Sequence, residues 1–159
     1  MVNAKEVPAD ALINKLARYL KEEVRQVRPP EWAMYVKTGP NKERIPEDQD
    51  WWYVRAASIM RKLYVAGRPV GIERLRTAYG SLKDRGSAPS HFRKSAGGHI
   101  RKILQQLEAA GLVTTISRRG RTLTPKGVSL LNKVAKKVFD DLVKKRPELR
   151  KYGGLGSGK

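Results

Sequence analysis

The stretch from Asp50 to Gly67 constrains the fold more than any other, because nearly every side of it is suited to burial. At about 100° per residue, its apolar side chains fill an arc of roughly 160°. They are Trp52, Tyr53, Ala56, Ala57, Ile59, Met60, Leu63 and Tyr64. The remaining arc mixes Arg55, Arg61 and Lys62 with Trp51, Val54, Ser58 and Val65. This pattern predicts a central helix, packed on most sides, that ends at the glycine and exposes a basic strip. Alternatively, the arginines only cover the core with their aliphatic stems.

The basic side chains of this sequence are concentrated in one region. The 159 residues carry a formal net charge of +19. Residues 1–50 hold nine basic and nine acidic side chains, whereas residues 51–159 hold 25 basic and six acidic ones. A field of this sign favours nucleic acid, an anionic membrane surface or an acidic protein as the partner. Because the excess belongs to one part of the chain, it indicates a binding region.

Composition also disfavours several classes of protein. The absence of cysteine excludes disulfides and thiolate metal sites. No apolar run approaches the roughly 20 residues of a membrane span. Residues 1–8 lack the apolar centre of a signal peptide. We therefore expect a cytoplasmic protein with no membrane partner.

The first 50 residues predict one amphipathic helix followed by less regular structure. Apolar residues recur at helical spacing between Pro8 and Glu23. A short helix is predicted over residues 30–36 and a loop over residues 37–50. The acidic cluster at residues 47–50 is interpreted as charge and capping for the following helix rather than as a metal or acid–base site.

From Trp51 onward the predicted order is helix, helix, helix, strand, turn, strand, helix. The helices are predicted at residues 51–67, 72–79, 95–110 and 125–146, and the strands at residues 112–116 and 121–123. Ser95 and Thr124 are predicted to cap the helices that follow them, and residues 81–94 are predicted to form a long loop. This is the order of the winged-helix variant of helix-turn-helix, in which the third helix is the recognition helix and the hairpin is the wing.

The predicted fold class is therefore mostly α and winged-helix-like, a helical bundle around the central helix with a two-stranded β-hairpin wing. Residues 1–146 are predicted to form a single domain, which suits a chain of this length. Within it, residues 1–50 form a neutral N-terminal helical part and residues 51–146 a basic winged-helix core. The polar and then glycine-rich residues 147–159 are predicted to form a flexible tail.

The sequence offers little support for catalysis. His91 and His99 have no carboxylate at ligand spacing, so a surface or hydrogen-bonding role is favoured for both. Asp140 and Asp141 are adjacent on a helix and cannot face a common site. Residues 153–159 have the glycine and lysine spacing of a phosphate-binding loop but lack the following Ser or Thr. We predict no catalytic residue, no metal site, no cofactor and no small-molecule substrate.

Nucleic-acid contact is better supported, because lysine and arginine neutralise phosphates without reading sequence. Between Arg85 and Arg121 there are eight basic side chains and one acidic one, Glu108. The candidate contacts on the central helix, the loop, the recognition helix and the wing are Arg55, Arg61, Lys62, Arg93, Lys94, Arg101, Lys102, Arg118, Arg119 and Arg121. Each alone could be a solvated charge, but a group with almost no acidic partners indicates a surface for phosphates. Gln105 and Gln106 could touch bases, although glutamine on an exposed helix face is ordinary.

Several short sequences, taken together and in this order, resemble one protein family. They are Pro30-Glu31-Trp32, Trp51-Trp52-Tyr53-Val54-Arg55-Ala56-Ala57-Ser58, Arg61-Lys62-Leu63-Tyr64, Pro89-Ser90-His91-Phe92 and Leu123-Thr124-Pro125-Lys126-Gly127. The family is the archaeal and eukaryotic small-subunit ribosomal protein numbered nineteen, and this chain resembles an archaeal member. The resemblance extends from Val7 to Val143, nearly the whole chain.

The resemblance implies a winged-helix-like domain bound to ribosomal RNA in the head of the small subunit, beside other ribosomal proteins. The family's basic surface maps onto Arg55, Arg61, Arg101 and Lys102, so the central and recognition helices are expected to form one RNA-binding surface. Eukaryotic members take part in small-subunit maturation, which makes such a role an expectation here. The basic wing at residues 117–121 and the glycine-rich tail depart from the eukaryotic pattern.

Three functional hypotheses follow. The leading one is a structural ribosomal protein that binds ribosomal RNA chiefly through its phosphates. The alternative is a winged-helix transcription regulator that reads duplex DNA with Arg101 and Gln105 in the major groove. The third is a winged helix whose partner is an acidic protein, since the fold alone does not identify the ligand.

Overall fold

The computed structural model describes residues 2–153, within which the chain forms six α-helices and two antiparallel β-hairpins. The helices are α1 (Ala9–Glu23), α2 (Trp51–Ala66), α3 (Ile72–Ala78), α4 (Gly98–Ala109), α5 (Pro125–Lys145) and α6 (Arg150–Gly153). The strands are β1 (Ser81–Arg85), β2 (Ala88–Arg93), β3 (Val113–Ile116) and β4 (Gly120–Leu123). Short 3-10 turns lie at Glu31–Met34 and Pro147–Leu149.

The central helix α2 lies in the middle of the hydrophobic core. Its buried side chains are Trp52, Ala56, Ala57, Ile59, Met60 and Leu63. The helices α1, α4 and α5 and the strand β4 all pack against it. Gly67 ends the helix in the left-handed conformation, with φ +60°, which a residue without a Cβ adopts at little cost. The predicted central helix, packed on most sides, is confirmed.

The neutral N-terminal part and the basic part of the chain contribute to the same core. The helix α1 buries Leu12, Leu16 and Leu20, and α5 buries Leu131, Val134, Ala135 and Val138. All of these side chains belong to one cluster with the buried face of α2. Because neither part has a separate core, we propose that residues 1–146 form one domain.

The strands β3 and β4 form the predicted wing, with Ile116 paired to Gly120 next to the turn. A third extended segment joins this hairpin. Val70, between α2 and α3, exchanges two backbone hydrogen bonds with Arg121, at 2.9 and 3.0 Å. The helices α2, α3 and α4 therefore precede a wing that is tied back to the α2–α3 connection. The predicted mostly α, winged-helix-like fold is confirmed.

The strands β1 and β2 lie where the sequence predicted a loop over residues 81–94, so that prediction is wrong. Leu82 pairs with Phe92 across the ribbon. Gly86 turns the chain with φ +72°, and its N–H donates to Asp84 Oδ1 at 2.9 Å. Almost every side chain of this hairpin is exposed, so its sequence does not alternate between apolar and polar residues. That alternation is the main sequence signal for a strand, and the hairpin was therefore missed.

The predicted Ser95 cap is wrong, and Asp50 of the acidic cluster directly precedes α2 without capping it, because each side chain binds a partner from a distant part of the chain. The helix α4 begins at Gly98, and the hydroxyl of Ser95 donates to the carbonyl of Thr38 at 2.7 Å. The carboxylate of Asp50 makes no cap hydrogen bond to α2 and forms an ion pair with Lys21 of α1 at 2.8 Å.

The third predicted cap is confirmed at the start of α5. The Thr124 Oγ1 accepts a hydrogen bond from the N–H of Gly127 at 3.2 Å, and Pro125 occupies the first turn. The helix ends at Lys145, close to the predicted end.

Beyond α5, residues 147–153 form two short helical turns, whereas the sequence led us to expect a flexible tail from residue 147. Residues 154–159, most of the glycine-rich segment that resembles a phosphate-binding loop, lie outside the described residues. Between residues 2 and 153, no helix is both long and apolar enough to cross a membrane.

The packing at the start of α5 leads to a stability prediction for Gly127→Ala. A Cβ there would lie 2.4 Å from the carbonyl oxygen of Leu112. At an open helical position, alanine stabilises by roughly 1 kcal/mol relative to glycine. Here we expect destabilisation by about 1–3 kcal/mol, measured by urea or thermal unfolding, because the backbone must move to relieve the overlap.

The matched control is Gly98→Ala at the first position of α4, where a Cβ would meet nothing within 4 Å. We expect this variant to be as stable as the parent or slightly more stable. Equal stabilisation by both substitutions would contradict the close contact at Gly127.

Candidate nucleic-acid interface

The recognition helix α4 presents one buried and one exposed face. Ile100, Ile103, Leu104 and Leu107 are buried in the core. Arg101, Lys102 and Gln105 are exposed on the other side. Within residues 2–153, neither basic side chain forms an ion pair, so both are available to phosphates.

The wing carries two exposed arginines at its tip. Arg118 adopts φ +59°, a backbone conformation that is uncommon outside glycine, and both Arg118 and Arg119 extend into solvent. Gly120, which follows these arginines, packs closely against the α2–α3 connection. A Cβ on Gly120 would lie 2.5 Å from the carbonyl carbon of Val70, so the wing can approach the α2–α3 connection only with glycine here.

Arg121, the third predicted contact of the wing, is largely covered. Its side chain is 18% exposed, and its Nε lies 3.8 Å from the Oε2 of Glu108 on α4. This distance is long for a hydrogen bond, so the pair is an electrostatic contact between the wing and the recognition helix. We therefore interpret Arg121 as an internal contact.

Arg55, the first basic residue of α2, was expected to face outward, but it lies between α2 and the end of α3. Its guanidinium carbon is 4.0 Å from the ring centroid of Tyr79, and the Nζ of Lys62 is 5.0 Å from the same centroid. The Tyr79 hydroxyl hydrogen-bonds to the Oγ of Ser58 at 2.8 Å. Two cations of α2 thus converge on one aromatic ring.

Burial has an electrostatic consequence for Arg55. Desolvation lowers its pKa below the ordinary arginine value, and the phenol of Tyr79 partly offsets this. The side chain nevertheless stays charged near neutral pH, as arginine does in proteins. Its Nη1 is buried and has no hydrogen-bond partner within residues 2–153. The same is true of the Nε of Arg61, which is half-buried on the next part of α2.

Arg93 and Lys94, predicted in a loop, lie at the end of β2 and just after it. Both are exposed. The Nζ of Lys94 lies 3.2 Å from the Oε2 of Glu73, whose other oxygen accepts a hydrogen bond from Arg76 at 2.6 Å. The hydrogen bond from Arg76, followed by that from Lys94, lowers the pKa of Glu73. Only Arg93 of the two predicted residues is free of an ion pair within the described part of the chain.

The two glutamines of α4 differ in their surroundings. Gln105 is exposed, as predicted. The amide oxygen of Gln106 accepts a hydrogen bond from the indole N–H of Trp52 at 2.9 Å, and its amide N–H donates to the carbonyl of Arg28 at 2.7 Å. Gln106 is thus held by the core rather than free to reach a base.

His99 is buried at the start of α4, which contradicts a surface role, whereas His91 is exposed on β2. The ring of His99 packs edge-to-face on Trp51, with centroids 5.8 Å apart. Burial, together with the smaller effect of the positive charge of Arg55, lowers the pKa of His99 from its ordinary 6.5 to about 4. The side chain is therefore neutral at physiological pH.

Nine of the ten predicted contacts thus fall into two groups, and the tenth, Arg61, is half-buried. Arg93, Arg101, Lys102, Arg118 and Arg119 are exposed and unpaired within residues 2–153, whereas Arg55, Lys62, Lys94 and Arg121 make contacts inside the protein. The predicted contacts also left out the exposed cations of β1, Lys83 and Arg85. Their positive charge can be read from the sequence, but the hairpin that exposes them was predicted as a loop.

The comparisons with known proteins agree on one family. The model of ribosomal protein S19e matches residues 3–141 of this chain. The chain belongs to the ribosomal protein S19e family. The small ribosomal subunit protein eS19 of Aeropyrum pernix is 61% identical to it over 152 residues, which cover 96% of this chain and 99% of the relative.

Similarity extends to further archaeal and to eukaryotic relatives. The small ribosomal subunit protein eS19 of Thermoplasma volcanium is 43% identical over 152 residues, covering 96% of this chain and 99% of the relative. The small ribosomal subunit protein eS19B of Schizosaccharomyces pombe is 39% identical over 140 residues, covering 88% and 96% respectively. The family that the sequence resembled is confirmed.

The burial of His99 predicts how the stability of this S19e family member depends on pH. Above pH 6.5 the residue is neutral in both the folded and the unfolded chain. Between pH 6.5 and about 4 the unfolded chain binds a proton that the folded chain does not, so stability falls as pH falls. The shift corresponds to about 3 kcal/mol in total, of which we expect about 2 kcal/mol to be lost by pH 5.

Urea unfolding at pH 7.5 and pH 5 will measure this loss. We expect His99→Phe, which keeps an aromatic ring beside Trp51, to remove most of the difference between the two pH values. The matched variant His91→Phe, on the exposed ribbon, should retain the full difference. If His99→Phe loses as much stability as the parent on acidification, another group is responsible.

Proposed function

We propose that this protein is a constituent of the cytoplasmic small ribosomal subunit and binds its ribosomal RNA through an exposed basic surface. Family membership over residues 3–141 supports the structural role in the small subunit. The exposed, unpaired cations of α4 and the wing support the RNA contact. Neighbouring small-subunit ribosomal proteins are further expected partners.

The main support for RNA contact is that some basic residues are exposed without an ion pair in the described residues, whereas others contact groups inside the protein. Phosphates attract cations that have no internal partner, and each such contact releases counterions. We therefore assign phosphate contacts to Arg101, Lys102, Arg118 and Arg119 first, and to Arg93. The cations that contact Tyr79, Glu73 and Glu108 contribute to the positive field while fixing the packing of α2, α3 and the wing.

Arg61 remains a candidate contact at the edge of this surface. It is half-buried, and its Nε has no internal acceptor in the described part of the chain. Because this Nε is buried, an RNA phosphate can contact Arg61 only through the part of the side chain that remains exposed.

The alternative of a DNA-binding regulator has less support. The relatives named above are small-subunit ribosomal proteins, and none of these names refers to transcription. Nor does the structure favour an acidic protein partner over RNA. We also propose a role in small-subunit maturation, which rests on the family resemblance alone. If the protein has this role, its depletion should cause precursors of the small-subunit RNA to accumulate.

Sedimentation of a cell lysate through a sucrose gradient tests the main proposal. We expect the protein to co-migrate with the small subunit and to leave it as salt is raised, because phosphate contacts weaken with ionic strength. A protein that stays at the top of the gradient at low salt would rule out the ribosomal assignment.

The RNA surface is tested by the double variant Arg101→Gln and Lys102→Gln. Filter binding to purified small-subunit RNA between about 50 and 200 mM salt gives the slope of log K against log salt. We expect the double variant to reduce the magnitude of that slope by about 1.5, since two phosphate contacts are lost. The same assay with duplex DNA of equal length shows whether the protein prefers DNA to RNA.

The matched control is Lys136→Gln with Lys137→Gln, two adjacent exposed lysines of α5 that carry the same total charge. This control should change the slope much less, because we interpret these lysines as a solvated face. Equal effects of the two double variants would mean that net charge, rather than the α4 surface, governs binding.

A further inference from the structure

The hairpin formed by β1 and β2 is a ribbon with two accessible faces. All residues from Leu82 to Lys94 are exposed. At about 3.3 Å per residue, strands of this length extend for roughly 20 Å. The hairpin lies in the connection between α3 and α4 and adds a surface that the winged-helix prediction did not include.

The pairing register separates the side chains of this ribbon by chemical type. Lys83 lies opposite His91, and Ser81 lies opposite Arg93, so these residues share one face. Leu82 lies opposite Phe92, which places this pair on the other face. Up to Lys83, where the register shifts, the ribbon therefore has one polar, basic face and one apolar pair on the other face.

The aromatic ring of Phe92 is held in place although it is half exposed. A Cβ on Gly80 would lie 2.7 Å from the Cζ of Phe92, so the tip of the ring rests on a position that only glycine leaves open. The side chain of Phe92 remains 49% exposed, and that of Leu82 beside it 64% exposed. An aromatic ring that is fixed and still open to solvent is suited to stacking.

The cations of the ribbon have few internal partners: Arg85 Nη1 donates to the carbonyl of Pro89 at 3.4 Å. Within residues 2–153, Lys83, Arg85 and Arg93 form no ion pair. The one acidic side chain, Asp84, accepts the N–H of Gly86 in the turn. The ribbon thus presents three cations without ion pairs in the described residues, and an exposed aromatic ring on the face opposite Lys83 and Arg93.

We propose that this ribbon binds an unpaired segment of the small-subunit RNA that passes around its edge, with a base stacked on Phe92 at the apolar face and phosphates on Lys83 and Arg93 at the basic face. Fixed aromatic rings combined with basic side chains are the usual means of binding single-stranded nucleic acid. A protein partner is less well matched, since one Phe and one Leu give too little apolar area for the core of a stable protein interface. The inference rests on the proposed function and adds a second contact region to it.

Filter binding to purified small-subunit RNA tests the stacking. We expect Phe92→Ala to weaken binding about tenfold, because one base loses its stacking partner. The salt slope should stay unchanged, since no cation is removed.

Three variants serve as controls. Phe92→Tyr keeps the ring and should bind like the parent, and Leu82→Ala should have a much smaller effect than Phe92→Ala. Arg93→Gln should instead reduce the magnitude of the slope by about 0.7.

Ultraviolet crosslinking in assembled small subunits identifies the occupant, with mass spectrometry of the peptide that contains Phe92. A nucleotide attached at or beside Phe92 supports the inference. A crosslink to a protein, or equal RNA affinity of Phe92→Ala and the parent, overturns it while leaving the proposed function intact. If the parent protein neither binds the RNA nor sediments with the small subunit, the proposed function itself fails. Unfolding curves of Phe92→Ala should match the parent, because the ring lies outside the core.

Discussion

The structure depends on the complete burial of Trp52 at the start of the central helix. An indole in the core must satisfy its N–H, and Gln106 of the recognition helix accepts that hydrogen bond. The amide of Gln106 in turn donates to the carbonyl of Arg28, in the segment that follows α1. One chain of hydrogen bonds therefore fixes the recognition helix relative to both the central helix and the neutral N-terminal part.

A helix packed on most sides cannot keep all of its charges in solvent, and this determines how the basic region is organised. The ring of Tyr79 covers the guanidinium of Arg55 and also makes a cation–π contact with Lys62. Arg121 is covered in the same way by its contact with Glu108. The positive residues of the second half of the chain thus serve both as internal contacts and as a surface for phosphates. Net charge alone does not distinguish the two uses.

The ribbon between α3 and α4 extends the winged-helix scheme. Val70 is bridged to the wing, and β1 and β2 are inserted before the recognition helix. The basic residues predicted for the site were visible in the sequence as a cluster, and the family was visible in its short sequence motifs. The ribbon itself was not predictable, because neither of its faces is buried and so nothing imposes a period of two on its sequence.

The sequence by itself determined the features that depend on neighbouring residues. The apolar period of α2 and its final Gly67, and the cap that Thr124 provides for α5, all act within a few positions of the chain. Only the tertiary structure decided the features whose partners are distant. Ser95 binds Thr38 and Arg55 lies near Tyr79, and no local pattern encodes either contact. A side chain with two competing partners takes the one that folding brings within reach, and that choice depends on the whole core.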